Sequence, residues 1–142
     1  MKGRSRRGTG LLAGFHQRST ARVLGAFVTR ADIEKQRAHT TTALLRRIPG
    51  VQLVPRPLGG GHTVMLRGTC APMVYIDGIK VRLFSGTIDD LVTPQALEGI
   101  EVYRSAAEVP AEYSGLNAGC GVILLWTRRG RDAGSAVHSG LE

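Results

Sequence analysis

Acidic side chains are the first groups in this chain that could do chemistry, because paired carboxylates can act as general acid and base. The candidates are spread along the chain at Asp77, Glu98, Glu101, Glu108 and Glu112. Nothing in their spacing predicts two carboxylates at the separation that glycoside hydrolysis needs. Asp77 is better explained by the Asp-Gly turn that it begins. The carboxylates therefore predict no catalytic site.

The histidines, cysteines and glycines also lack the spacing of a reactive site. The two cysteines are Cys70 and Cys120, and the scattered histidines are His16, His39, His62 and His138. The sequence contains no HExxH motif, no closely spaced Cys/His pair and no nucleophile elbow. The glycines at 59–61 precede no Gly-Lys-Ser/Thr, so they predict a loop rather than a phosphate cradle. We therefore expect neither an enzyme nor a bound metal or cofactor.

Positive charge is concentrated at the N-terminal end of the chain. The net charge is +8, and residues 1–50 hold eleven Lys/Arg against two acids, whereas residues 51–142 hold eight against nine. Residues 1–30 contain only Phe15 and Phe27 as aromatic residues, too few for the interleaved aromatics of a nucleic-acid-binding face, so no nucleic-acid partner is expected. We interpret residues 1–24 as a basic flexible arm, 25–130 as one domain and 131–142 as a flexible tail.

Membrane and export signals are weak in this sequence. No segment approaches the ~20 apolar residues of a membrane-spanning helix. The apolar run from Leu11 to Phe15 is shorter than the core of about 7–15 residues in a secretory signal. The chain as written predicts no transmembrane helix and no convincing export signal.

Short apolar runs predict several strands. Residues 122–126 form an unbroken run typical of a strand covered on both faces, and Ile100, Val102 and Tyr103 form a shorter one. Residues 73–76 and 79–83 flank Asp77-Gly78, which is a strong signal for a tight hairpin. Strands are also predicted to begin at residue 51 and to lie within residues 62–68.

Four segments predict helical structure, and one of them is a loop that enters a helical turn within residues 85–92. Thr29, with Asp32 three residues later, is a candidate N-cap and capping-box pair. Residues 40–48 carry an apolar stripe that Pro49 ends. Thr93 and Pro94 have the pattern of an N-cap followed by proline at the first helical position, over residues 93–98.

Five segments, taken in order, resemble the plug domain of TonB-dependent outer-membrane receptors. They are residues 44–51, 64–68, 74–78, 100–104 and 121–127, and the resemblance covers residues 25–130. The positions that match the motifs of the family are Pro49, Gly50, Arg67, Gly68, Glu101, Arg104 and Gly121. Ser105 replaces the usual glycine after Arg104, and Cys120 replaces the first of two glycines before the last strand.

The resemblance implies an α+β fold, with a small mixed β-sheet and short helices packed on it. It implies a non-enzymatic gate that sits in a 22-stranded outer-membrane barrel. The implied partners are that barrel, in the same or a separate chain, and TonB, and the implied location is the outer membrane or periplasm. No TonB box is recognisable, and too few residues follow Gly130 to build a barrel. The chain is interpreted as a plug-like piece of a receptor or as a free-standing periplasmic interaction module that uses its basic arm.

The periplasmic setting implied by this resemblance favours a disulfide between Cys70 and Cys120. Each cysteine precedes a predicted strand, and parallel pairing of those strands would bring the two thiols level. The bond would close a loop of 50 residues, which is worth about 4 kcal/mol on the chain-entropy model. The alternative is a pair of buried reduced thiols.

Overall fold

A five-stranded mixed sheet forms the centre of the fold. The computed structural model describes residues 12–21, 24–58, 60–66, 70–83, 86–115 and 118–128. Its helices are α1 (Ala13–Ala21), α2 (Arg30–Gln36), α3 (Thr41–Arg46) and α4 (Ile88–Leu91). Its strands are β1 (Ala26–Val28), β2 (Gln52–Pro55), β3 (His62–Met65), β4 (Met73–Ile76), β5 (Ile79–Val81), β6 (Leu97–Tyr103) and β7 (Val122–Thr127). This architecture confirms the predicted mixed sheet with short helices.

Strand β7 lies in the middle of the sheet, which has the order β1-β6-β7-β4-β5. It pairs antiparallel with β6, from Leu97 opposite Thr127 to Tyr103 opposite Val122. On its other side it pairs parallel with β4, where Met73 lies opposite Val122. The unbroken apolar run follows from this position, because both faces of a central strand are covered.

One face of the sheet, here called the aliphatic face, carries the larger core. The helices α2, α3 and α4 and the separate β2–β3 hairpin contribute to it. Its buried residues are Val28, Ile33, Leu44, Leu45, Ile48, Val64, Leu66, Val74, Ile88, Val92, Leu97, Ile100, Val102, Ile123 and Leu125. The predicted capping box of α2 is confirmed, since the Thr29 amide donates to Asp32 at 2.9 Å and the Asp32 amide donates to Thr29 Oγ1 at 3.3 Å.

The opposite face, here called the aromatic face, is covered by α1 and by short 3₁₀ turns between β6 and β7. Its buried residues are Leu12, Phe15, Tyr103, Ala118, Val122, Leu124 and Trp126. The turns are Ala106–Glu108, Ala111–Tyr113 and Ala118–Cys120. The two faces together bury residues 122–126 of β7.

Helix α1 corrects one expectation from the sequence. The sequence predicts a flexible arm over residues 1–24, but residues 13–21 form a packed helix, and Phe15 in it and Leu12 directly before it are buried. The helix lies on β6, and this contact supplies the stability that its own sequence lacks. Residues 1–11 and the predicted tail at 131–142 lie outside the described residues.

The segment at residues 93–98 also differs from its prediction. Pro94–Ala96 forms one 3₁₀ turn, and β6 begins at Leu97. Leu97 is fully buried and pairs with Thr127, so sheet pairing overrides the helical start signal. Among the described helices, none has the length and apolar character required to cross a membrane.

Candidate functional site

The described family-motif positions gather near the end of β6 and the start of β7. Pro49 and Gly50 contact Arg104, which follows β6, and Gly121 lies directly before β7. Glu101 lies within β6. Arg67 and Gly68 lie outside the described residues. The arrangement brings together motif segments that are more than 50 positions apart in the sequence.

Arg104 links three parts of this region. Its Nη1 donates to the carbonyl oxygen of Pro49 at 3.0 Å, and its amide donates to Glu108 Oε1 at 2.8 Å. A Cβ added at Gly50, which has φ +92°, would lie 2.9 Å from Arg104 Cδ. The absence of a side chain at Gly50 therefore allows the Arg104 side chain to lie close to the proline-glycine turn.

Gly121 begins the last strand in a conformation that favours glycine. Its φ is +95°, and a Cβ there would lie 2.8 Å from the carbonyl oxygen of Tyr103. Its own carbonyl accepts the amide of Met73 at 2.9 Å. Gly121 therefore lets β7 start between β6 and β4 without a clash.

The disulfide between Cys70 and Cys120 is present in the structure, with the two Cα atoms 5.5 Å apart. It ties the segments that lead into β4 and β7, which are parallel neighbours. Cys70 is exposed and Cys120 is half-buried, so solvent reaches this end of the sheet. The bond sits beside Gly121 at the point where the parallel pairing starts.

Asp77 and Gly78 form the two-residue turn between β4 and β5, with φ values of +51° and +86°. The Asp77 carboxylate also binds the end of β7. Its Oδ1 accepts the Thr127 amide at 2.9 Å, and its Oδ2 accepts the Thr127 hydroxyl at 2.6 Å. Sequence reasoning explained Asp77 by its turn alone and missed this contact with Thr127.

Glu101 is the most completely buried acid in the described chain, with no exposed side-chain surface. Arg18 of α1 donates two hydrogen bonds to it, from Nε to Oε1 at 2.7 Å and from Nη2 to Oε2 at 2.8 Å. The Tyr103 hydroxyl donates to Oε1, and Trp126 Nε1 donates to Oε2 at 2.7 Å. Each carboxylate oxygen therefore accepts two hydrogen bonds.

Arg18 has further partners at the edge of the aromatic face. Its Nη1 lies 3.3 Å from Glu112 Oε2, and its Cζ lies 5.8 Å from the centre of the Tyr113 ring. The guanidinium thus lies between the buried carboxylate of Glu101, the exposed carboxylate of Glu112 and the ring of Tyr113. Glu112 is mostly exposed, so its share of the attraction is weakened by solvent.

The pKa values of these groups reflect the shared burial. Burial lowers the pKa of Arg18, but the hydrogen bonds and negative charge of Glu101 outweigh it, and the net pKa lies above the usual range. Burial raises the pKa of Tyr103, and its bond to Glu101 raises it further. Burial also raises the pKa of Tyr113. Both tyrosines therefore stay protonated beyond the pH at which an exposed tyrosine ionises.

The hydrogen bonds and the ion pair around Glu101 stabilise the contact between α1 and the sheet. The oxygens of Glu101 are occupied by donors, so they are not free to accept a substrate proton. Within the described ranges, no three His, Cys, Asp or Glu side chains are grouped to hold a metal ion. Sequence reasoning missed the roles of Arg18 and Trp126. The signal that could have found them is an acid between Ile100 and Val102 in a buried strand, which requires a cation or donors.

Comparison with known proteins identifies the family. Residues 17–119 match the family described as the TonB-dependent Receptor Plug Domain. The chain is 36% identical over 121 residues to the vitamin B12 transporter BtuB of Vibrio cholerae serotype O1, an alignment that covers 80% of this chain and 19% of the relative. The chain therefore belongs to the TonB-dependent receptor plug domains, and it spans about a fifth of the length of that relative.

Solved structures have the same fold. The ferric enterobactin receptor PfeA superposes with a TM-score of 0.58 at 22% identity, over 72% of this chain and 17% of the receptor. The siderophore receptor PirA from Pseudomonas aeruginosa superposes with a TM-score of 0.51 at 26% identity, over 72% of this chain and 18% of the receptor. The RagAB peptide importer gives a TM-score of 0.55 at 20% identity, over 75% of this chain and 12% of that chain. The described domain matches one small part of each larger protein.

Proposed function

We propose that this domain is the gate of an outer-membrane uptake receptor, in which it fills the lumen of a β-barrel and controls the passage of a substrate. The observation that carries this proposal is the family match over residues 17–119. The barrel is supplied by the same polypeptide or by a separate chain, and TonB is the partner that powers opening. The domain itself performs no reaction.

The structure supports the role of a gate in one physical respect. A gate has to stay folded as a unit while its surroundings change. The central sheet is joined at one end by the Cys70–Cys120 disulfide and at the other by the bonds from Thr127 to Asp77. Both ends of the β4–β7 pair are therefore fixed by contacts other than the backbone hydrogen bonds between the two strands.

The test starts from the DNA on both sides of this coding sequence. An in-frame downstream pattern of about 10-residue alternating segments would encode a transmembrane barrel. The full-length receptor and a variant lacking residues 12–128 are then expressed in the outer membrane, and entry of a bulky polar dye is measured. We expect the deletion to make the membrane leaky, because a wide barrel without its plug is an open channel.

Two results would count against the proposal. One is a correctly inserted barrel whose dye permeability does not change when residues 12–128 are removed. The other is the absence of any barrel-coding segment in frame or in a neighbouring gene. The second result would favour the alternative of a free-standing interaction module. That alternative predicts salt-sensitive binding to a partner that disappears when the basic residues before α1 are deleted.

A further inference from the structure

The aromatic face contains a binding arrangement that the sheet forms largely by itself. Glu101, Tyr103 and Trp126 all belong to β6 and β7. Tyr103 donates to one carboxylate oxygen of Glu101 and Trp126 donates to the other. These two donors fix the plane of the carboxylate and leave its remaining acceptor positions for one bidentate partner. A guanidinium fork matches that geometry better than an ammonium does.

A second feature of the same face is a slot for an aromatic ring. Gly99 lies two positions before Glu101 in β6 and is buried. A Cβ added at Gly99 would overlap three ring atoms of Phe15. The missing side chain therefore makes room for a ring from outside the sheet. Strand β6 therefore has a space at Gly99 and an acid at Glu101, two positions apart. These two positions contact an aromatic residue and an arginine of the same helix.

Helix α1 supplies both groups, with Phe15 and Arg18 three residues apart on one side of the helix. It contributes no residue to the core of the aliphatic face. A cleft of about 250 Å³ separates the end of α1 from the turn at residues 108–110, so the helix is not closely packed along its whole length. The fold of the sheet thus has a core that does not depend on α1.

From these observations we propose that Gly99, Glu101, Tyr103 and Trp126 form a recognition site for a helical segment with an aromatic residue and an arginine at i and i+3. In this structure the occupant is residues 12–21 of the same chain. Helix α1 is then an exchangeable ligand, tethered to the domain that it binds. This inference goes beyond the proposed function and holds whether or not a barrel follows.

The experiment uses the full chain, with a protease recognition sequence inserted between Ala21 and Leu24. After cleavage the α1 piece and the rest remain together in solution. A fluorescein-labelled synthetic peptide of residues 12–21 is added in excess, and its exchange into the complex is followed by anisotropy. Trp126 is the one tryptophan in the chain, so its fluorescence reports on the occupied site directly. Far-UV circular dichroism checks that the sheet stays folded.

The matched probe is the same peptide with Arg18→Gln. We expect the wild-type peptide to exchange and saturate, and the Arg18→Gln peptide to bind about 10-fold more weakly or worse, because it loses charge-assisted bonds to a buried acid. On a cleaved chain with Glu101→Gln, the two peptides should differ by less than about threefold, as expected when one substitution already removes the shared interaction.

Three results would overturn the proposal. The first is loss of the circular dichroism signal on cleavage, which would make α1 part of the obligatory core. The second is a folded cleaved chain that does not take up the labelled peptide. The third is equal binding of the wild-type and Arg18→Gln peptides. If Glu101→Gln prevents folding, the comparison of the two peptides on the wild-type chain still decides the outcome.

Discussion

The two faces of the central sheet are stabilised in different ways. The aliphatic face is covered by three helices and a hairpin, and its buried core consists of valine, leucine and isoleucine. The aromatic face is covered by α1 and short turns, and a buried ion pair lies within it. Hydrophobic burial tolerates small shifts, whereas a buried charge requires its partner in place. The aliphatic face therefore defines the fold, and the aromatic face makes the position of α1 specific.

Leu125 and Leu124 give the strongest test of this difference, since they are neighbours in β7, fully buried, and on opposite faces. We expect Leu125→Ala to lower the free energy of unfolding by about 4 kcal/mol, because its cavity is enclosed by fixed elements. Leu124→Ala should cost about 3 kcal/mol, because α1 can move to fill part of the space. Urea unfolding measures both, and an equal or larger cost at Leu124 would contradict the comparison.

The disulfide joins strands that contribute to both faces, so its loss should weaken both. The double variant Cys70→Ser, Cys120→Ser should lower the free energy of unfolding by about 4 kcal/mol, since the cross-link restricts a loop of 50 residues in the unfolded chain. Denaturant unfolding with and without a reducing agent gives the control. Reductant should reproduce the shift in the wild-type protein and leave the double variant unchanged, and no response in the wild type would argue against the bond.

Arg18→Ala should affect the aromatic face first. We expect a loss of about 2 kcal/mol, less than for a pair with both partners fully buried, because one-fifth of the Arg18 side chain is exposed. The change in Trp126 fluorescence should occur at a lower urea concentration than the change in circular dichroism. Arg18→Lys keeps the charge but not the bidentate fork, so its free energy of unfolding should lie between those of the wild type and Arg18→Ala. If fluorescence and circular dichroism of Arg18→Ala change at the same urea concentration, the aromatic and aliphatic faces do not unfold separately.

Tyr103 gives the smallest expected effect and a pH dependence. Tyr103→Phe should cost about 1 kcal/mol through the lost bond to Glu101. Because the folded pKa of Tyr103 lies above its ordinary value, the stabilisation is complete below about pH 10 and decreases as the pH rises further, by up to ~1.4 kcal/mol per pH unit. Unfolding between pH 8 and 11 should show a shallower decline in Tyr103→Phe. A residual slope is expected from Tyr113, whose pKa is also raised.

The parts of the fold that sequence patterns predicted are those with local signals. The unbroken apolar run gave β7, the Asp77-Gly78 pair gave the hairpin, and Thr29 with Asp32 gave the start of α2. In each case the residues that determine the element lie within it or next to it. The pairing of Asp77 with Thr127 was not predictable in the same way, because those residues are 50 positions apart.

Helix α1 was missed for a physical reason. Only Leu12 and Phe15 bury large apolar side chains there, and the other side chains are mostly small or polar. The helix is fixed by Gly99 and Glu101, and Glu101 lies 83 positions from Arg18. A window of the sequence around Arg18 contains neither partner. The family-motif positions followed from resemblance, which located Glu101 but did not predict what it binds.

The place of β7 in the sheet has a consequence for how the chain folds. The strand that lies between β6 and β4 is the last strand of the described chain. The β4–β5 hairpin can form early, but it cannot join the β1–β6 pair until residues 122–127 are available. Such late, long-range closure is slow and leaves strand edges unpaired in the meantime. During synthesis, which starts at the N-terminus, the nascent chain therefore has unpaired strand edges that can aggregate or bind a chaperone until residues 122–127 have been made.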